Sequence, residues 1–73
     1  MKGNKNMILE FATKRNQNGN RYYLGIDTDK KVFSRERGHW YTKDDVIEIT
    51  KHDRNNLIEQ LESENYKEIE HIL

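Results

Sequence analysis

Apolar and polar positions alternate along the first half of this chain. Between residues 7 and 14, Met7, Leu9 and Phe11 fall on one side and Glu10 and Lys14 on the other, where Ile8 and Ala12 add apolar character. A period of two predicts a β-strand. Residues 21–27 alternate more cleanly: Tyr22, Leu24 and Ile26 share one face, and Arg21, Tyr23, Gly25 and Asp27 the other. Gly25 leaves a gap there, so either a neighbouring aromatic lies over it or the strand bulges. Residues 31–36 predict a third strand, with Val32 and Ser34 inward and Phe33 on the side of Lys31 and Arg35, although the alternation also allows the reverse. The clearest turn is 16–20, where Asn18-Gly19 readily takes the positive φ of a tight hairpin. Residues 28–30 form a second turn and 37–39 a further one. Three strands joined by two turns predict an antiparallel meander.

The period changes behind Thr50. Leu57, Ile58 and Leu61 fall on one stripe of a helix, and Asn55, Asn56, Glu59, Gln60, Glu62 and Ser63 on its wet face. Thr50 is the predicted N-cap and Asp53 supplies a carboxylate at the third helical position. The spacing predicts a helix over 51–64, closed by Asn65 in the left-handed conformation. Residues 42–49 fit two forms. Thr42 can cap a short helical turn near Asp44 that buries Val46, Ile47 and Ile49, but the same β-branched run suits a strand. The helical turn, followed by an extended link, is the favoured reading. Residues 66–73 suit helical spacing and alternation equally. The expected fold is α+β: a three-stranded antiparallel meander with one principal C-terminal helix. Residues 1–73 make one domain, with 1–6 a frayed tail.

Size changes what this fold must do. A chain of 73 residues buries roughly 60% of its unfolded surface, so its core is marginal alone. There is no cysteine, which excludes disulfides and thiolate metal sites and makes the cytoplasm the expected compartment. No apolar run approaches the length of a membrane span. A partner chain is the remaining support, and a homodimer is expected. Candidate interface residues are Met7, Ile8, Trp40, Tyr41, Ile69, Ile72 and Leu73, since aromatics and Met are enriched at interfaces.

Net charge is zero but unevenly placed. Residues 1–43 hold ten Lys or Arg against four Asp or Glu, and residues 44–73 three against nine. Such a bipolar chain can present its basic part to an acidic protein or to nucleic acid. For nucleic acid, Arg21, Lys31, Arg35 and Arg37 would contact phosphates while Tyr23 and Phe33 stack on bases. The ordinary account of these aromatics, as core residues of a small domain, is preferred. The acidic wet face of the helix also opposes major-groove binding.

Chemistry is sparse. His39, His52 and His71 are too widely spaced to form a close ligand pair, and Asp27 and Asp29 lack the other oxygens of a calcium loop. There is no phosphate cradle or nucleophile elbow, so neither enzyme activity nor a cofactor is expected. A protein-interaction or regulatory module is the first reading, and a nucleic-acid-binding sheet the alternative.

Three stretches, Arg21-Tyr22-Tyr23-Leu24-Gly25-Ile26-Asp27, Arg37-Gly38-His39-Trp40-Tyr41 and Lys51-His52-Asp53-Arg54-Asn55-Asn56-Leu57, together resemble the small Bacillus prophage-associated YopT family, which is unrelated to the bacterial effector of that name. The resemblance covers nearly the whole chain. It implies a three-stranded sheet with one principal helix, assembled as a homodimer. It brings no activity and no functional residues.

Overall fold

The computed structural model describes residues 8–38 and 44–72. The expected tail and the segment containing His39, Trp40, Tyr41 and Thr42 lie outside them, as do Met7 and Leu73. Strands β1 (Ile8–Ala12), β2 (Arg21–Asp27) and β3 (Val32–Ser34) form the expected antiparallel centre. Both hairpins close on side-chain caps. The Asn16 carboxamide oxygen accepts the N–H groups of Asn18 and Asn20 at 2.9 and 3.0 Å, and Gly19 takes φ 82°. The Asp27 carboxylate accepts those of Asp29 and Lys30 at 3.0 and 3.1 Å, and Lys31 takes the left-handed φ of 56°. Lys31 therefore belongs to the turn and not to strand three.

The three-stranded meander is too small a description. The sheet is mixed, running β5-β1-β2-β3-β6. Strand β5 (Ile47–Glu48) pairs with β1 in parallel, and β6 (Lys67–Glu68) pairs with β3 in parallel. Strand β4 (Arg37–Gly38) pairs with β2 in the register set by β3, and the Tyr23 N–H donates to the Glu36 carbonyl at 2.8 Å. The line of β3 thus continues where a turn at 37–39 was expected. The helical turn near Asp44 does not form, since residues 44–46 are irregular and β5 follows. The β-branched run behaves as its propensity suggests, and the Ile49 N–H donates to the Ala12 carbonyl. Ile47 is not buried there but 53% exposed.

Helix α1 (Lys51–Ser63) starts as its sequence predicts. The Thr50 hydroxyl accepts the Asp53 N–H at 3.0 Å. Thr50→Ala is expected to cost about 1 kcal/mol, measured as a lower denaturant midpoint at constant m. An unchanged midpoint would mean that this bond contributes nothing. At the other end Asn65 takes φ 69°. Its N–H reaches the Glu62 carbonyl and that of Tyr66 the Leu61 carbonyl. These two bonds make a Schellman motif with Asn in the left-handed position.

The helix lies over the face of β2 that carries Leu24 and Ile26. Those two, with Phe33, Ile58 and Leu61, form the core, and Phe11, Leu57 and Tyr66 pack around it. Phe33 is opposite Ile26 in register and fully buried. The expected inward set in strand three is therefore reversed: Phe33 takes the helix side, and Val32 and Ser34 the far side. Burying a phenylalanine under the helix removes far more apolar surface from water than burying a valine.

Candidate functional site

The far face of the sheet is not simply wet. Alternation along β1, β2 and β3 brings Ala12, Tyr23, Gly25 and Ser34 there, and all are buried. Tyr23 lies over Gly25, the first of the two arrangements that the glycine allowed, and its hydroxyl donates to Glu10 at 2.8 Å. Residues 66–72 then run as a strap along β3 and onto this face. The Lys67 and Ile69 N–H groups donate to the carbonyls of Lys31 and Phe33 at 3.0 and 2.8 Å. The Ser34 hydroxyl donates to the Glu70 carbonyl at 2.8 Å. Ile72 sits over the Gly25 hollow. His71 Nδ1 lies 3.5 Å from the Glu36 carboxylate.

On the helix side the strap is held by charge. Two Arg35 nitrogens donate to the two Glu68 oxygens, each at 2.9 Å. These bonds hold the Glu68 carboxyl below its ordinary pKa. Partial burial opposes them, and the charges of Arg35 and Arg54 add to them. The same bonds raise the Arg35 guanidinium. A carboxyl with a lowered folded pKa stabilises fully above its ordinary value of 4.5 and loses that contribution as pH falls through the folded value. The Arg35 shift matters only in strong alkali. Both side chains are about two-fifths exposed, so the pair is worth less than about 1 kcal/mol. Glu68→Gln should therefore cost under about 1 kcal/mol at neutral pH and nothing in strong acid. Denaturant melts at both pH values check this, and an equal loss in acid would contradict the ion pair as the cause.

No protein-family model, curated protein or solved structure matches this chain.

The residues expected to bind nucleic acid do not share a face. Arg21 and Tyr23 lie on the far side, Phe33 and Arg35 on the helix side, and Lys31 in a turn. Phe33 is 0% and Tyr23 2% exposed, so neither ring can stack on a base. Arg21 is buried and donates to the Thr13 carbonyl, and Arg35 is engaged by Glu68. The Arg37 side chain lies outside the described residues. Of the interface candidates, Ile8, Ile69 and Ile72 are described, and all three are half-buried.

Arg54 is the residue whose role the sequence reading missed. Left out of the predicted apolar stripe, it is buried between helix and sheet. Its Nη2 lies 3.4 Å from the Tyr23 carbonyl and its guanidinium 5.3 Å from the Tyr22 ring centre, with Lys51 Nζ 5.0 Å from the same ring. The signal was present, because Arg54 precedes Leu57 and Ile58 by three and four positions and extends the apolar stripe. Among the described residues no three His, Asp or Glu side chains come together as a metal site. No described helix is long and apolar enough to cross a membrane.

Proposed function

We propose that this chain is a small protein-interaction module that works as a homodimer. One observation carries the reading. Ile8, Val32 and Ile72, from distant parts of the sequence, lie half-buried on the sheet face that no described helix covers, Ile8 and Val32 on either side of Asp27 and Ile72 over Gly25. A sheet is most stable with both faces packed. A second copy laid on this side would take the remaining apolar surface out of water, at about 25 cal/mol per Å². The smallness of the core gives the same surface its importance.

Sedimentation equilibrium at micromolar concentration tests the reading. A mass of two chains is expected, and Ile8→Glu should shift it towards one chain by placing a carboxylate in the interface. One chain mass at every concentration would sink the proposal. So would an Ile8→Glu dimer as tight as the parent.

A further inference from the structure

We infer that the helix side of β1 and β5 is a docking trough for an amphipathic helix with a basic polar face, supplied by another protein. The trough is on the opposite side of the sheet from the face assigned to the dimer, and it stands without that reading. Helix α1 packs on β2 and β3, through Ile58 and Leu61 against Leu24, Ile26 and Phe33. The β1 and β5 half of the same face carries no described helix. Leu9 pairs with Ile26, Phe11 with Leu24 and Ile47 with Phe11, so all three project to the helix side. Leu9 is 38% and Ile47 53% exposed, the two exposed large apolar side chains among the described residues. Half-buried Phe11 lies between them and the core, and half-buried Leu57 forms the wall on α1.

Width and charge choose the occupant. Paired strands stand about 4.8 Å apart and packed helices about 8 to 10 Å. Helix α1 takes the width of two strands, so β1 and β5 together offer the width of one more helix beside it. The charge is of one sign. Glu62 raises the Arg35 guanidinium, which puts that flank of α1 over β3. The opposite flank, where Asp53, Leu57 and Glu64 recur at helical spacing, faces β1. Asp53 and Glu64 are exposed there, about 16 Å apart at 1.5 Å per residue. The last turn of α1 has no basic residue, so the negative end of its dipole adds to Glu64. Strands β1 and β5 contain no Lys or Arg. An apolar stripe edged by Lys or Arg complements such a surface. A second copy does not, because its α1 shows Asp53, Glu59, Glu62 and Glu64 to solvent and would set acid against acid.

The test titrates the full, isotope-labelled chain with a synthetic helical peptide of about five turns, Leu along one stripe and Lys elsewhere. The amides of Leu9, Phe11, Ile47 and Leu57 are expected to shift, and those of Val32 and Ile69 on the other side and edge to stay. Ile47→Glu, at an exposed position, should weaken binding at least about tenfold. Glu64→Lys should weaken it several-fold. It also covers an Ile47→Glu chain that fails to fold, since a Lys suits a helix C-terminus. Glu59→Lys makes the same charge change on the other flank and should leave affinity within about twofold. Equal effects of Glu59→Lys and Glu64→Lys would mean general attraction to an acidic helix and overturn the inference. Full affinity in Ile47→Glu, or no shifts at millimolar peptide, does the same. So do Leu9 and Ile47 shifts that grow with protein concentration in the absence of peptide, which would seat a second copy in the trough. Sedimentation reads the dimer separately, so either reading can fail alone.

Discussion

Phe33→Ala is expected to be the most damaging single truncation, with a loss of about 3 to 5 kcal/mol. The side chain is fully buried and packs with Leu24, Ile26, Ile58 and Leu61, so it joins the central strands to the helix. Deleting it removes the transfer energy of the ring and leaves a cavity that a paired β-strand cannot collapse to fill. A domain of this size holds roughly 4 to 11 kcal/mol in all, at 0.05 to 0.15 per residue. From the lower part of that range the variant should populate unfolded chains at room temperature. Urea denaturation followed by circular dichroism measures it. A loss under about 1 kcal/mol would mean that Phe33 is not in the core.

Gly25→Ala is expected to cost about 1 to 3 kcal/mol, the range for overpacking a filled site. A Cβ there would stand 2.7 Å from the Tyr23 hydroxyl oxygen, 2.9 Å from Ile72 Cγ2 and 3.0 Å from Tyr23 Cε2. Tyr23 is the harder of the two to move, being buried and bonded to Glu10. Ile72 is only half-buried. The strap should therefore give way first. Hydrogen exchange reads this directly: the Ile69 amide, bonded to the Phe33 carbonyl, should lose more protection than the Leu24 amide in the centre of β2. Equal loss at both would place the cost in Tyr23 and the sheet. No loss of stability would show that the hollow has room.

The two predictions rest on residues that the sequence treats differently. Gly25 was legible, because a glycine amid alternating residues has few explanations, and one of them is a ring lying over it. Phe33 was not. Residues 31–36 alternate between apolar and polar on both sides, so the period alone left two registers with opposite faces. The pairing of Ile26 with Phe33, set by the 28–30 turn, chose between them. Of the candidate site, Ile8, Ile69 and Ile72 were recognisable as apolar residues in need of cover. The seat of Ile72 over Gly25, on the face that also carries Ile8, was not, because it depends on the path of the strap.

By itself the sequence determined the local parts: two hairpin turns built on Asn16-to-Asn20 and Asp27-to-Lys30, a helix opened by Thr50 and closed by Asn65, and the stripe of Leu57, Ile58 and Leu61. Each depends on side chains and φ preferences within a few residues of one another, which is the range a linear pattern can carry. Tertiary structure decided the rest. Strands β5 and β6 are two residues long, too short for any period, and exist only because β1 and β3 offer unpaired N–H and C=O groups to distant segments. Arg54 became a buried residue because Tyr22 and the Tyr23 carbonyl receive it. The ion pair of Arg35 with Glu68 and the seat of Ile72 over Gly25 join residues more than thirty positions apart. No spacing rule reaches that far, and only the packed chain brings the groups together.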